Sequence, residues 1–199
     1  YQMEFRNISL SLSLSLNKHE WREMFKKITY WELELEQSGD ESVENILSMQ
    51  KTEANTQFFK FIKNNYKNWI NGENSPLLSH NLVRKKVIPL MEDRVPIYLI
   101  IIDNLRYDQW KIIEPIIIKD FDVIKDEMYY SILPTSTQYS RNAIFAGLLP
   151  SEIQKRFPDK WKNDEDEGGK NLFEEDFFSD QLQRLGKVDA KYSYTKITN

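Results

Sequence analysis

Two stretches of the chain place groups suited to metal-assisted hydrolysis at the ends of apolar segments. Asp103 follows Leu99-Ile100-Ile101-Ile102 in VPIYLIIIDNLRYDQW, and Thr135, Ser136 and Thr137 follow Pro134 in ILPTSTQYSRNAIFAG. Open α/β sheets bind ligands outside the carboxyl ends of their strands. A carboxylate there suits a hard or borderline cation such as Zn²⁺, Mn²⁺ or Mg²⁺. Asp is equally a good helix N-cap, and a helix-like sequence follows directly, so position alone leaves both roles open. A hydroxyl between a strand and a helix faces backbone N–H groups and the positive end of the helix dipole. It becomes a nucleophile if a metal lowers its pKa. Unaided, the same three residues are ordinary Ser/Thr caps.

Other polar residues near these two stretches divide in the same way. Arg106 and Arg141 either hold a phosphate oxygen bidentately or sit exposed or ion-paired. Asn163 or Asn171 would give a neutral donor to that oxygen. The acidic run Asp164–Glu167, within NDEDEGGKN, reads as a solvated loop, with metal binding by its carboxylates as the alternative. The two histidines, His19 and His80, fall in the first half of the chain, at surface or capping positions rather than among ligands.

The elements that must position these groups follow from periodicity. Ile8, Leu12 and Leu16 recur at helical spacing over residues 1–16, although Ile8, Leu10, Leu12, Leu14 and Leu16 also alternate with polar residues as in an edge strand. The helix is the reading adopted. Asn17 and Glu20 form a capping-box pair. Trp21, Met24, Phe25, Ile28, Trp31 and Leu35 then make an amphipathic stripe, Ser38-Gly39-Asp40 breaks it, and Ser42 caps a third helix ending at Gly72. The aromatic members of these helices read as core.

Residues 1–72 are therefore predicted to be a three-helix bundle. Residues 73–94 form a connection in which Ser79 caps a short helix ending near Pro89. From residue 95 the pattern becomes a continuous apolar run, the mark of a strand in a parallel sheet. Strands over 95–103, 121–124, 128–133 and 191–197 alternate with helices near 105, 139–146, 151–157 and 172–185. The fold class expected for residues 95–199 is α/β with a mostly parallel sheet.

Composition bounds the function. A net charge of -4 and a pI near 5.4 speak against a nucleic-acid or anionic-membrane surface. The absence of cysteine excludes a disulfide framework and a thiolate zinc site and fits the cytoplasm. The longest apolar run, Ile97–Ile102, is too short to span a bilayer, and no signal peptide opens the chain. Both ends read as cuts through a longer protein.

The strings IDNLRYDQW and LPTSTQYSRNAIFAGLLP resemble the PglZ domain of the alkaline phosphatase superfamily. In that superfamily an Asp ending the first core strand binds metal, and a Thr or Ser opening a helix is both ligand and nucleophile. The phosphodiesterase pattern Pro-Thr-x-Thr, with Gly-Leu-x-Pro after it, reads here as Pro134-Thr135-Ser136-Thr137 and Gly147-Leu148-Leu149-Pro150. The resemblance thus selects Thr137 as nucleophile and metal ligand, Asp103 as metal ligand, and two zinc ions as cofactor. Further Asp and His ligands of the family have no counterpart in the chain.

WELELEQ, QKTEANTQFFKFI and KNDEDEGGKNLFEEDF resemble PorX-type response regulators, in which a helical bundle joins a receiver domain to a PglZ effector. This implies a phosphate-ester substrate, nucleotide-type diesters before monoesters, a sensor histidine kinase acting through a receiver, and a possible homodimer. A non-catalytic partner-binding role in transcription or secretion control is the alternative. The chain taken alone is expected to be inactive.

Overall fold

The computed structural model describes residues 2–38, 41–93 and 95–197. It divides into two compact units, Tyr1–Pro76 with Leu105–Met128, and Leu77–Asn104 with Tyr129–Asn199.

The first unit is helical. Helix α1 (Gln2–Leu12) buries Phe5, Ile8 and Leu12, so the helical spacing of its apolar residues prevails over their alternation. Helix α2 (Lys18–Ser38) starts at the predicted capping box. Asn17 Oδ1 accepts the backbone N–H groups of His19 at 2.8 Å and Glu20 at 3.1 Å, and Asn17 N–H donates to Glu20 Oε2 at 2.7 Å. Gly39 and Asp40 of the predicted break lie outside the described residues. Helix α3 (Glu41–Ile70) takes Ser42 into its first turn instead of using it as a cap.

Gly72 ends α3 at φ 87°, and Glu73 N–H reaches back to the Asn68 carbonyl at 2.9 Å, which closes a Schellman turn. Trp21, Met24, Ile28, Leu35 and Leu47 join the α1 residues in one core, where Trp21 meets Phe58 edge-on at 5.2 Å. Each such side chain contributes about 1.5–3 kcal/mol by leaving water. Helix α4 (Tyr107–Ile117) also belongs to this unit, runs through Pro115 and lays Tyr107 against Phe25.

The second unit contains α5 (Thr137–Ala146), α6 (Pro150–Arg156) and α7 (Glu174–Arg184). The short helix expected from residue 79 is present as three irregular helical pieces, a 3-10 helix at Ser79–Asn81, a π-helix at Val83–Val87 and a 3-10 helix at Ile88–Asp93. Ser79 makes no cap. It is fully buried, and its hydroxyl accepts Ile132 N–H at 3.1 Å.

The expected mostly parallel α/β sheet is overturned. Among the described residues there is no strand, and the single β-bridge joins Leu78 and Tyr130 in the parallel sense. An apolar run records a tendency to be buried, but a strand also needs a second segment in register to take its N–H and C=O groups. Residues 95–103 find none here, and Tyr98 and Ile100 remain 87% and 77% exposed. The core of this unit is built by its helices and turns, with Leu78, Val83, Ile132, Ile153 and Phe177 almost fully buried.

Candidate active site

Asp103 does not cap α4, whose N-cap position is taken by Arg106. The chain turns directly after Asp103, with Asn104 at φ 56°, a left-handed conformation that asparagine tolerates better than most residues. The Asp103 side chain is 47% accessible. Its Oδ1 accepts the Thr137 hydroxyl at 3.1 Å, and its Oδ2 accepts Arg141 Nη1 at 2.8 Å.

Thr137 opens α5, and Arg141 lies four residues on, so both fall on one face of the helix. Ser136 occupies the N-cap position without a side-chain cap bond. The carbonyls of Thr135 and Ser136 are taken by the Ser140 hydroxyl, both at 3.1 Å. Of the three adjacent hydroxyls, Thr137 is the one bonded to Asp103 among the described residues.

Behind Arg141 stands Glu174, in the first turn of α7 and 2% exposed. Its Oε1 accepts Arg141 Nε, while Oε2 accepts the Tyr194 hydroxyl at 2.8 Å and lies 3.4 Å from Lys196 Nζ. Burial, followed by the bond to Glu174, pushes the Tyr194 hydroxyl up to about 12. Asp103 and Glu174 are matched by Arg141 and Lys196, two negative charges against two positive. Asp103, Arg141, Glu174, Tyr194 and Lys196 all line a groove of about 1030 Å³.

The other predicted residues are placed differently. Asn163 Oδ1 accepts Trp161 Nε1 at 3.0 Å, its backbone N–H is held by Asp166 at 2.6 Å, and no bond links it to Thr137, Asp103 or Arg141 among the described residues. Asn171 instead reaches the site, donating to the Thr137 carbonyl at 3.3 Å and to Asn142 Oδ1 at 2.9 Å. Arg106 belongs to the first unit, where Asp108 takes its Nε at 3.0 Å and Nη2 at 2.7 Å.

The acidic loop is closed by Lys170, whose ammonium binds the carbonyls of Asn163, Asp164 and Asp166. His19 pairs with Arg22 in the first unit, and His80 is held low by burial with Nε2 3.0 Å from Asn81. Glu174 and Tyr194 escape sequence reading. Glu174 looks like one of three acids opening a helix, and Tyr194 like one more residue of a strand.

Zinc requires three or four protein ligands. Beside the Thr137 hydroxyl the site holds two carboxylates, Asp103 and Glu174, both paired with Arg141, and no group of three or more His, Cys, Asp or Glu comes together among the described residues. Both Asp103 oxygens already carry partners, one of them a guanidinium. These residues by themselves therefore do not fit a zinc site.

What the arrangement supplies is an accessible hydroxyl with an oriented proton, and a cation held beside it. Residues 1–70 match the PorX response regulator linker domain. Residues 82–195, more than half of the chain, match the BREX system PglZ alkaline phosphatase-like domain. No curated protein matches the chain. No helix is long and apolar enough to cross a membrane among the described residues.

Proposed function

Because the chain belongs to the PglZ alkaline phosphatase-like family and carries a PorX-type linker before that domain, we propose that its effector hydrolyses phosphate esters with Thr137 as the nucleophile. The observation that carries this reading is the 3.1 Å hydrogen bond from the Thr137 hydroxyl to Asp103. With its proton held on Asp103, the hydroxyl turns a lone pair of Oγ1 away from the carboxylate. Attack on phosphorus passes that proton to Asp103 and forms a Thr137–phosphate ester as the bond to the leaving oxygen breaks, and the alkoxide takes up a proton from water to leave as the alcohol. Arg141 stands ready to neutralise charge on a non-bridging oxygen, and water then cleaves the Thr137 ester, restoring the hydroxyl and releasing the phosphate monoester left from a diester. Nucleotide-type diesters are the proposed substrates, on the strength of the Pro134-Thr135-Ser136-Thr137 motif.

Zinc dependence is part of the proposal. Asp103 and Thr137 would serve as two of its ligands only by giving up the bonds they make here, and more ligands are needed than the described residues bring together. The test is hydrolysis of a chromogenic phosphodiester by the full-length protein with added zinc. Activity is expected in wild type and lost in Thr137→Val, which keeps the side-chain shape and removes the hydroxyl. A wild-type protein inactive with every divalent metal tried would sink the reading.

The linker match supports a second, compatible role. In a cytoplasmic two-component system, a sensor histidine kinase would phosphorylate a receiver. The helical unit would then pass the change to the effector through dimerisation or altered domain packing.

A further inference from the structure

No step of the proposed chemistry uses Glu174, yet it is the most deeply buried carboxylate of the site, at 2% exposure. A carboxylate withdrawn from water costs several kcal/mol unless it is paired and hydrogen-bonded. Here three donors converge on it, from α5 and from residues 194 and 196. We infer that Glu174 is a positioning residue that holds Arg141 beside the Thr137 hydroxyl to receive a phosphoryl oxygen. This assignment rests on the phosphohydrolase reading above.

The geometry is that of a planar group fixed at two points. Arg141 gives Nε to Glu174 and Nη1 to Asp103, so its plane cannot turn without breaking one bond. Among the described residues Nη2 carries no bond, which leaves donors for an anion. Without Glu174, Asp103 would be the sole anionic partner of Arg141 and would draw the guanidinium onto itself.

The contacts also form a closed ring. Lys196 Nζ bonds the Asn171 carbonyl at 2.7 Å, and the Asn171 amide bonds the Thr137 carbonyl. Thr137, Asp103, Arg141, Glu174, Lys196 and Asn171 thus return to Thr137, with Glu174 joining the α5 side to residue 196.

The test measures inorganic phosphate affinity by calorimetry, together with kcat and KM for a chromogenic phosphodiester, on the full-length protein. Glu174→Gln is expected to weaken phosphate binding and raise KM by about tenfold, the loss of one charge-assisted hydrogen bond. Arg141→Ala should do at least as much, the double variant no more than Arg141→Ala alone, and Glu174→Asp should recover part of the loss. Unchanged phosphate binding in Glu174→Gln, or a double variant worse than Arg141→Ala, overturns the assignment.

Should Glu174→Gln fail to fold, Arg141→Lys replaces it. This variant keeps the charge but cannot span both carboxylates, and full phosphate affinity there also overturns the assignment. Wild type that binds phosphate but hydrolyses nothing removes the enzymatic reading and leaves the affinity test of Glu174 standing. Wild type that binds no phosphate overturns the Glu174 assignment, while the enzymatic reading still stands or falls on hydrolysis.

Discussion

Tyr194 gives Glu174 one of its hydrogen bonds and has its own acid–base signature. Tyrosine ordinarily ionises near pH 10, and here burial and the Glu174 carboxylate push the hydroxyl up to about 12. The folded protein therefore keeps this proton at a pH where the unfolded chain has lost it. By linkage the stabilisation is complete below the ordinary value and disappears as pH rises through about 12. An alkaline titration of tyrosinate absorbance is expected to lose one late-ionising group in Tyr194→Phe. An unchanged profile would show that the bond does not persist in solution. Residues at this scale were legible where chemistry and local sequence coincide. Position at the ends of apolar segments leaves Asp103 and Thr137 open as caps or as chemistry, the family resemblance singles them out, and they meet. Arg141 is legible only as a cation near Thr137, because its second partner lies 33 residues further on. Asn163 and Asn171 look interchangeable in sequence, and only the path of the loop around Lys170 separates them.

Helix α5 owes its position to contacts at both ends. At its C-terminus the carbonyls of Ile144 and Phe145 accept the Gln181 amide at 2.9 and 2.7 Å, and that of Ala146 accepts Arg184, so α7 satisfies groups that the helix leaves open. Gly147 turns the chain at φ 61°, where an added Cβ would lie 2.6 Å from Gln181. Gly186 stands at φ 71° with open space around it. Both Gly→Ala substitutions should cost about 1–2 kcal/mol for the left-handed backbone, and Gly147→Ala more, because Gln181 must also give way. Thermal denaturation of the two variants side by side checks this, and equal losses would count against the Gln181 contact. Capped helices were the most legible elements, since Asn17 and Gly72 mark their ends through local chemistry. The parallel sheet expected from the apolar runs does not form among the described residues. The runs at 95–103 and 191–197 have the composition of strands, but composition names no partner, and pairing is a property of two segments.

The two units have separate cores, one of α1 to α3, the other around α5 to α7. If the helical unit relays a receiver's state, phosphorylation of the receiver-containing protein should change its sedimentation, and an unchanged coefficient would count heavily against the relay. The ring through Thr137 has a consequence of another kind, in the order of assembly. Its hydrogen-bonded links join residues 34, 38, 33, 25 and 34 positions apart, and every such closure costs chain entropy before any contact repays it. The α2 capping box, by contrast, closes across three residues. A ribosome delivers Asp103 before any of its partners, and Lys196 last of all. Helices whose caps are local can form while the site is still an open set of charged ends, so the groups closest to the chemistry are among the last to find one another.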